Sequence, residues 1–284
     1  MLKVMIFIDG SWLCRTRGYL SSRVADSKLV IDYGKLPHVL VGLLGKQMGV
    51  SSLDLVRTYF FASLPANVDP RDTQYVEDQQ DFYDRLTAEF HYEVELFPID
   101  FKGRRYHKDD RDPEDSFIPK EKCVDVALST SMLYLATVPS AYDTAITVIG
   151  DEDYVPVLQR IRQLGKRVVV VSVHESCADA YDPFKNPTDS RRVRDVDTIF
   201  LDEIIPDVLC GGPYRSIKCE SDLHEGNPWV LTSERMLSGG PYYCPKCRKA
   251  FNHCQPRKEI EQVTIVGNPT KEASLRCAPA IVPV

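Results

Sequence analysis

Two apolar runs end in acid. Val4-Met5-Ile6-Phe7-Ile8 stops at Asp9-Gly10, and Ile146-Thr147-Val148-Ile149 stops at Gly150-Asp151-Glu152-Asp153. A strand that is apolar at successive positions cannot leave one face to water, so it belongs in a parallel sheet covered by helices on both sides. An acidic residue at the carboxyl end of such a strand points into the crevice where open α/β sheets bind ligands.

The rest of the pattern alternates in the same sense. A helix is expected over 35–48, with Leu36, Val39, Leu40, Leu43 and Leu44 on one face, and a β-branched and aromatic strand over 54–62. A helix over 73–90 carries Tyr75, Phe82, Leu86 and Phe90, and a strand over 92–101 is marked as an edge by Pro98. After a charged, proline-punctuated loop at 102–119, helical spacing returns at Val124, Leu128, Met132 and Leu135. A strand at 144–150, a helix at 154–164 closed by Gly165, and a strand at 168–172 follow. Residues 182–195 read as a mobile loop, and 196–204 as a short terminal strand or edge segment. Regular alternation of this kind implies an α/β fold.

Bulk properties set outer limits. The 284 residues suffice for one α/β domain and a smaller appendage, and 43% hydrophobic with 27% charged residues is ordinary for a globular protein. The first apolar run is broken by Asp9 well short of a signal-peptide core, and no run of about 18 apolar residues follows, so a cytoplasmic location without a membrane partner is expected. A net charge of -6 argues against a generally basic nucleic-acid coat. Residues 212–284, however, hold ten Lys/Arg against seven Asp/Glu, a mildly basic tail behind an acidic front.

Of nine cysteines, Cys14, Cys123, Cys177 and Cys210 are scattered, as for reduced thiols, whereas Cys219, Cys244, Cys247 and Cys254 crowd together. Cys244-Pro245-Lys246-Cys247 is a zinc half-site, because two thiolates two residues apart in a tight turn reach one tetrahedral ion. Cys219 and His224 are the preferred partner pair, since Trp229-Val230-Leu231 and Gly239-Gly240 between the pairs suit a small hairpin; His253 and Cys254 compete for the role. So small a unit has little core, so structural Zn²⁺ would contribute directly to its folding. Tyr242, Tyr243, Arg248, Lys249 and Phe251 could serve RNA contact, or the unit could dock a protein partner. Val263-Thr264-Ile265-Val266 could add a strand.

Phe7-Ile8-Asp9-Gly10-Ser11, Lys122-Cys123-Val124-Asp125-Val126-Ala127-Leu128, Gly150-Asp151-Glu152-Asp153-Tyr154-Val155-Pro156 and Gly165-Lys166-Arg167-Val168 together resemble the NYN domain of the PIN-like nuclease superfamily. The resemblance covers roughly residues 1–205. It implies a Rossmann-like parallel sheet with helices on both faces and a metal-dependent ribonuclease or an RNA-binding relative. The layout is then a PIN-like domain at 1–205, a zinc-ribbon-like domain at 206–255 and a mobile tail at 256–284.

Asp9, Asp125, Asp151 and Asp153 are the candidate catalytic residues and ligands for Mg²⁺ or Mn²⁺. Clustered carboxylates repel one another and a hard divalent cation resolves that repulsion, while activating water and stabilising the leaving oxygen of a phosphodiester. Asp9 or Asp151 could instead cap a turn. Ser11, Trp12, Lys120 and Lys122 are candidate RNA contacts, Trp12 either by stacking on a base or, as the commoner role, as core; Arg15, Arg17 and the basic residues of the 102–119 loop are further phosphate candidates. Trp12 stands where the family usually has Asn, and Ser131 where it commonly has a further Asp. Those departures leave a second reading: a catalytically weak or inactive RNA- or protein-binding module on the same fold.

Overall fold

The two acid-terminated runs become neighbours at the centre of one sheet. The computed structural model describes residues 1–22, 30–182, 185, 193–210, 215–225, 228–232 and 241–254. Its strands β1 (Leu2–Asp9), β2 (Leu53–Ala66), β3 (Glu93–Asp100), β4 (Thr144–Val148), β5 (Arg167–Ser172) and β6 (Ile199–Phe200) pair in the order β3-β2-β1-β4-β5-β6, all parallel. β3, the strand with Pro98, is at the edge. The region-by-region expectations from the sequence hold for these strands, with β2 running on to Ala66.

Alternation along β1 divides the interior. Val4, Ile6 and Ile8 join a core with helices α1 (Gly10–Ser22), α2 (Leu36–Met48) and α3 (Thr73–Ala88), through residues such as Leu13, Leu40 and Phe82. Met5 and Phe7 join a second core with α4 (Val124–Thr137) and α5 (Val155–Gln163), through Leu128, Met132, Leu158 and Ile161. Because successive strand residues alternate in direction, Asp9 shares its face with Met5 and Phe7 and comes out towards α4 and α5. The chain runs outward from β1 to β3 along one side and restarts at β4 on the other, so strand order reverses between β1 and β4. That reversal makes a crevice at their carboxyl ends.

Two helices depart from the expected pattern. α1 follows Asp9 immediately, where Gly10 and Gly18 and the mixed residues between them obscure helical periodicity. The short terminal strand is the two-residue β6, and the chain turns at once into α6 (Leu201–Val208), which buries Leu201, Ile205 and Val208. The 102–119 loop is pinned: Arg105 pairs with Asp72 at 2.9 Å and with Asp110, Arg104 with Asp115, and Arg111 donates to the carbonyls of Arg105, Tyr106 and Phe117. Most of the expected mobile loop at 182–195, Gly239-Gly240, Val263 to Val266 and the 256–284 tail lie outside the described residues.

Cys210 is disulfide-bonded rather than a reduced thiol. Spacing along a chain does not reveal which thiols a fold brings within bonding distance. No described helix is long and apolar enough to cross a membrane. The C-terminal unit pairs β7 (Arg215–Lys218) with β8 (Trp229–Thr232) antiparallel and adds helix α7 (Pro245–Cys254), so its second half is helical rather than a ribbon.

Two glycines let the central crevice close up. A Cβ on Gly10 would lie 2.2 Å from the Phe60 ring, and one on Gly150 would lie 2.1 Å from Trp12 Nε1 and 2.3 Å from the Ser176 carbonyl oxygen. Neither space can hold a methyl group without movement. Gly150→Ala is therefore expected to destabilise the domain by about 1–3 kcal/mol, the usual cost of overpacking, read as a lower urea midpoint at unchanged m-value.

Candidate functional site

Asp9 is 1% exposed. Its Oδ1 accepts from the backbone N–H of Trp12 at 2.8 Å, a cap-like bond that orients the carboxylate as α1 begins. Its Oδ2 lies 2.9 Å from the Tyr154 hydroxyl, which is also 2.8 Å from Asp125 Oδ1. Thus one buried phenol joins the end of β1, the first turn of α4 and the turn after β4. The chain enters α4 through Cys123 in the left-handed region, φ 77°, which sets the direction from which Asp125 approaches.

Asp151 and Asp153 occupy the turn between β4 and α5. Asp151 caps this 3₁₀ turn by accepting from the Asp153 N–H at 3.2 Å, and the Tyr181 hydroxyl holds its carbonyl at 2.7 Å. Both carboxylates are exposed, as is Asp125. The four aspartates are brought to one edge of the sheet but not into one tight cluster: among the described residues, only a Cys/His group gathers three or more ligand atoms within 4.8 Å of one another.

Electrostatics single out Asp9. Burial pushes its pKa up to about 6 from 3.8, opposed by the Trp12 N–H, the Tyr154 hydroxyl and the charge of Arg15, and reinforced by Asp125. Tyr154 is held well above the usual phenol range by its own burial and by the two carboxylates, so it remains a hydrogen-bond donor. Sequence reasoning gave Tyr154 no role, although it follows the Asp151-Glu152-Asp153 motif directly; an aromatic at that spacing reads simply as core.

The remaining candidates fall in different places. Trp12 is a core residue, 5% exposed, and its Nε1–H donates to Ser176 Oγ at 3.0 Å. The core alternative therefore describes this conformation better than base stacking. Ser11 is half-buried and pairs with Ser63 Oγ at 3.2 Å, across the ends of β1 and β2. Lys120 and Lys122 are exposed on the approach to α4 and pair with no acid among the described residues. Arg15 pairs with Glu121 at 3.6 Å. Ser131 is half-buried on α4.

In the C-terminal unit Cys219, His224, Cys244 and Cys247 come together, with ligand atoms all within 4.8 Å of one another. His224 Nδ1 is 3.5 Å from Cys244 Sγ and 3.4 Å from Cys247 Sγ. With Zn–S near 2.3 Å and Zn–N about 2.0–2.1 Å, the edges of a tetrahedral site are roughly 3.5–3.8 Å, so the spacing fits. The Cys244 N–H donates to Cys219 Sγ at 3.2 Å. Burial raises that thiol, but the N–H groups of Cys244 and Ser221 together with the Cys247 and Cys244 thiols bring its pKa down to about 7. The competing side chains of His253 and Cys254 lie outside the described residues.

A family model described as the NYN domain matches residues 3–197. No curated protein gives a significant match. Among solved structures, a protein of unknown function from Vibrio parahaemolyticus is similar at 18% identity with a TM-score of 0.41, over 73% of this chain and 96% of that chain.

The raised pKa of Asp9 has a consequence for stability. A carboxyl that holds its proton more tightly when folded gives a contribution fully present below the unfolded value of 3.8 and lost as pH rises through about 6. With divalent metal chelated, Asp9→Asn is expected to stabilise the protein by on the order of 2–3 kcal/mol at pH 8. Urea unfolding across pH should show that gain shrinking below pH 6 and vanishing near pH 4.

Proposed function

The chain belongs to the NYN domain family and has its α/β PIN-like fold, and from that premise we propose that it is a metal-dependent ribonuclease. The observation that carries this reading is the joining of Asp9 to Asp125 by the Tyr154 hydroxyl at the point where strand order reverses. Two carboxylates share one neutral hydroxyl, and the charge of Arg15 offsets them only in part. That deficit suits a divalent cation, and it is the test on which the residues fit Mg²⁺ or Mn²⁺.

Asp9, Asp125, Asp151 and Asp153 would hold the ion. When bound, such a cation supplies Lewis acidity for hydrolysis of a phosphodiester and stabilises charge on the leaving oxygen. The protein's part is positional. The Trp12 N–H fixes one oxygen of Asp9, Tyr154 holds Asp9 against Asp125, and the capped turn presents Asp151 and Asp153 to solvent, where their side chains adjust without disturbing the core. Lys120 and Lys122, which pair with no acid among the described residues, lie beside the entrance to α4 and would hold the RNA backbone without reading its sequence. Ser11, half-buried in the first turn of α1, would add a phosphate contact.

The Cys219/His224/Cys244/Cys247 group would hold a structural Zn²⁺. All four ligand positions are filled by protein, which closes the site to substrate water. The small core of Cys219, Val230, Tyr242, Cys244 and Cys247 consists largely of the ligands themselves. Chelation of zinc from the full chain is expected to open 215–254 to limited proteolysis while a fragment near 1–205 persists.

The second reading is a binding module that has lost efficient turnover, and the indole of Trp12 and the hydroxyl of Ser131, at positions where the family usually has Asn and commonly a further Asp, favour it. Titration with Mg²⁺ and Mn²⁺ against single-stranded RNA separates the two. A ribonuclease should cleave only with metal, and Asp151→Asn should lower the rate by more than the roughly 10–100-fold that loss of an outer-shell partner costs. Binding of equal strength by Asp151→Asn, with no cleavage by the unmutated protein in any divalent metal, would leave the binding module.

A further inference from the structure

Beside the Cys/His group lies a cavity of about 710 Å³ whose walls include Glu220, Asp222, Leu223, Tyr243, Arg248 and Phe251. This is within the range of pockets that take organic ligands. Leu223, Tyr243 and Phe251 are 50%, 44% and 55% exposed, so apolar and aromatic surface stands in water on a unit with very little core of its own. α7 gives the lining Cys247, Arg248 and Phe251; Lys246 and Lys249 are exposed on the same helix, which has no acid in its ten residues. The lining also includes two carboxylates, Glu220 and Asp222.

These groups are complementary to different parts of one kind of ligand. Aromatic faces stack on unpaired bases whatever their identity. Cations along a helix meet the phosphates that link those bases. Carboxylates accept hydrogen bonds from exocyclic amino groups, as Glu and Asp do from cytosine N4. A cavity lined by rings, two carboxylates and a guanidinium from a cationic helix therefore suits a strand whose backbone is anionic and whose bases present donors.

We propose that this cavity is a base-binding subsite for single-stranded RNA, with bases stacked on Tyr243 and Phe251, phosphates against α7, and amino groups of the bases towards Glu220 and Asp222. It rests on RNA being the substrate class and assigns part of the grip on that RNA to the C-terminal unit. Two preferences follow. Single strands bind here and duplexes do not, because paired bases expose no face. Oligo(C) binds more tightly than oligo(U), because uracil has no amino group.

The test uses the full, zinc-loaded chain carrying Asp151→Asn, with fluorescent oligo(C), oligo(U) and duplex RNA about 12 nucleotides long, within the site sizes known for single-strand binders. Adding Tyr243→Ala and Phe251→Ala together should weaken oligo(C) binding about 10-fold or more, as loss of stacking predicts, while zinc content and duplex binding stay unchanged. Tyr243→Phe with Phe251→Tyr, which keeps both rings, should restore it. Oligo(C) affinity unaltered by the alanines, with zinc retained, overturns the proposal and leaves this face to a protein partner. Oligo(C) bound no better than oligo(U) overturns the role of the two carboxylates. Cleavage is measured separately on the unmutated chain. Metal-dependent cleavage with unaltered affinity in the alanine variant sinks only the subsite, whereas absent cleavage with lost affinity sinks only the ribonuclease.

Discussion

A phenol hydroxyl has one proton, and that of Tyr154 lies within hydrogen-bond distance of two carboxylates. It can satisfy one fully, or both partially, but it cannot neutralise either. The end of β1, the start of α4 and the turn after β4 are far apart in sequence, and Tyr154 is where they meet. A polar junction with a buried phenol and a buried carboxylate ties segments together only while each buried member has a partner, which is why a poorly balanced one is rarely kept without a reason.

The reason is built into the direction of the strands. Parity along β1 puts Asp9 on the α4/α5 side, and parallel pairing brings β4 to an end at the same edge, so Asp151 follows three residues beyond Val148. Burial of Asp9 disfavours its charged form, and the domain tolerates this because the surrounding cores are large and apolar. A site assembled from rigid strand ends holds its groups more closely than one assembled from loops. The exposed pair, Asp151 and Asp153, supplies the adjustable half.

Much of this was legible before any coordinates. Unbroken apolar runs declared the central strands, Pro98 declared the edge, and the acids at the run ends declared the crevice. Cys244 and Cys247 announced the Cys/His group, because their spacing alone limits what a chain can do. What escaped was structure whose signal is tertiary. α1 begins with glycine and mixes polar and apolar residues, so only its packing on β1 and β2 makes it a helix. Tyr154 looked like any buried ring, since a sequence does not show where a hydroxyl ends up. Trp12 departs from the family pattern in composition, yet the space it fills exists only because residue 150 is glycine and Ser176 accepts its N–H.

That indole carries a practical advantage of another kind. The chain has two tryptophans, and they report from opposite surroundings: Trp12 is enclosed beside the aspartates, whereas Trp229 on β8 is 57% exposed. Indole emission shifts to longer wavelength as water gains access. Each part of the molecule thus carries its own intrinsic optical signal, and loosening of the sheet edge is distinguishable from loosening of the Cys/His unit without attaching any label.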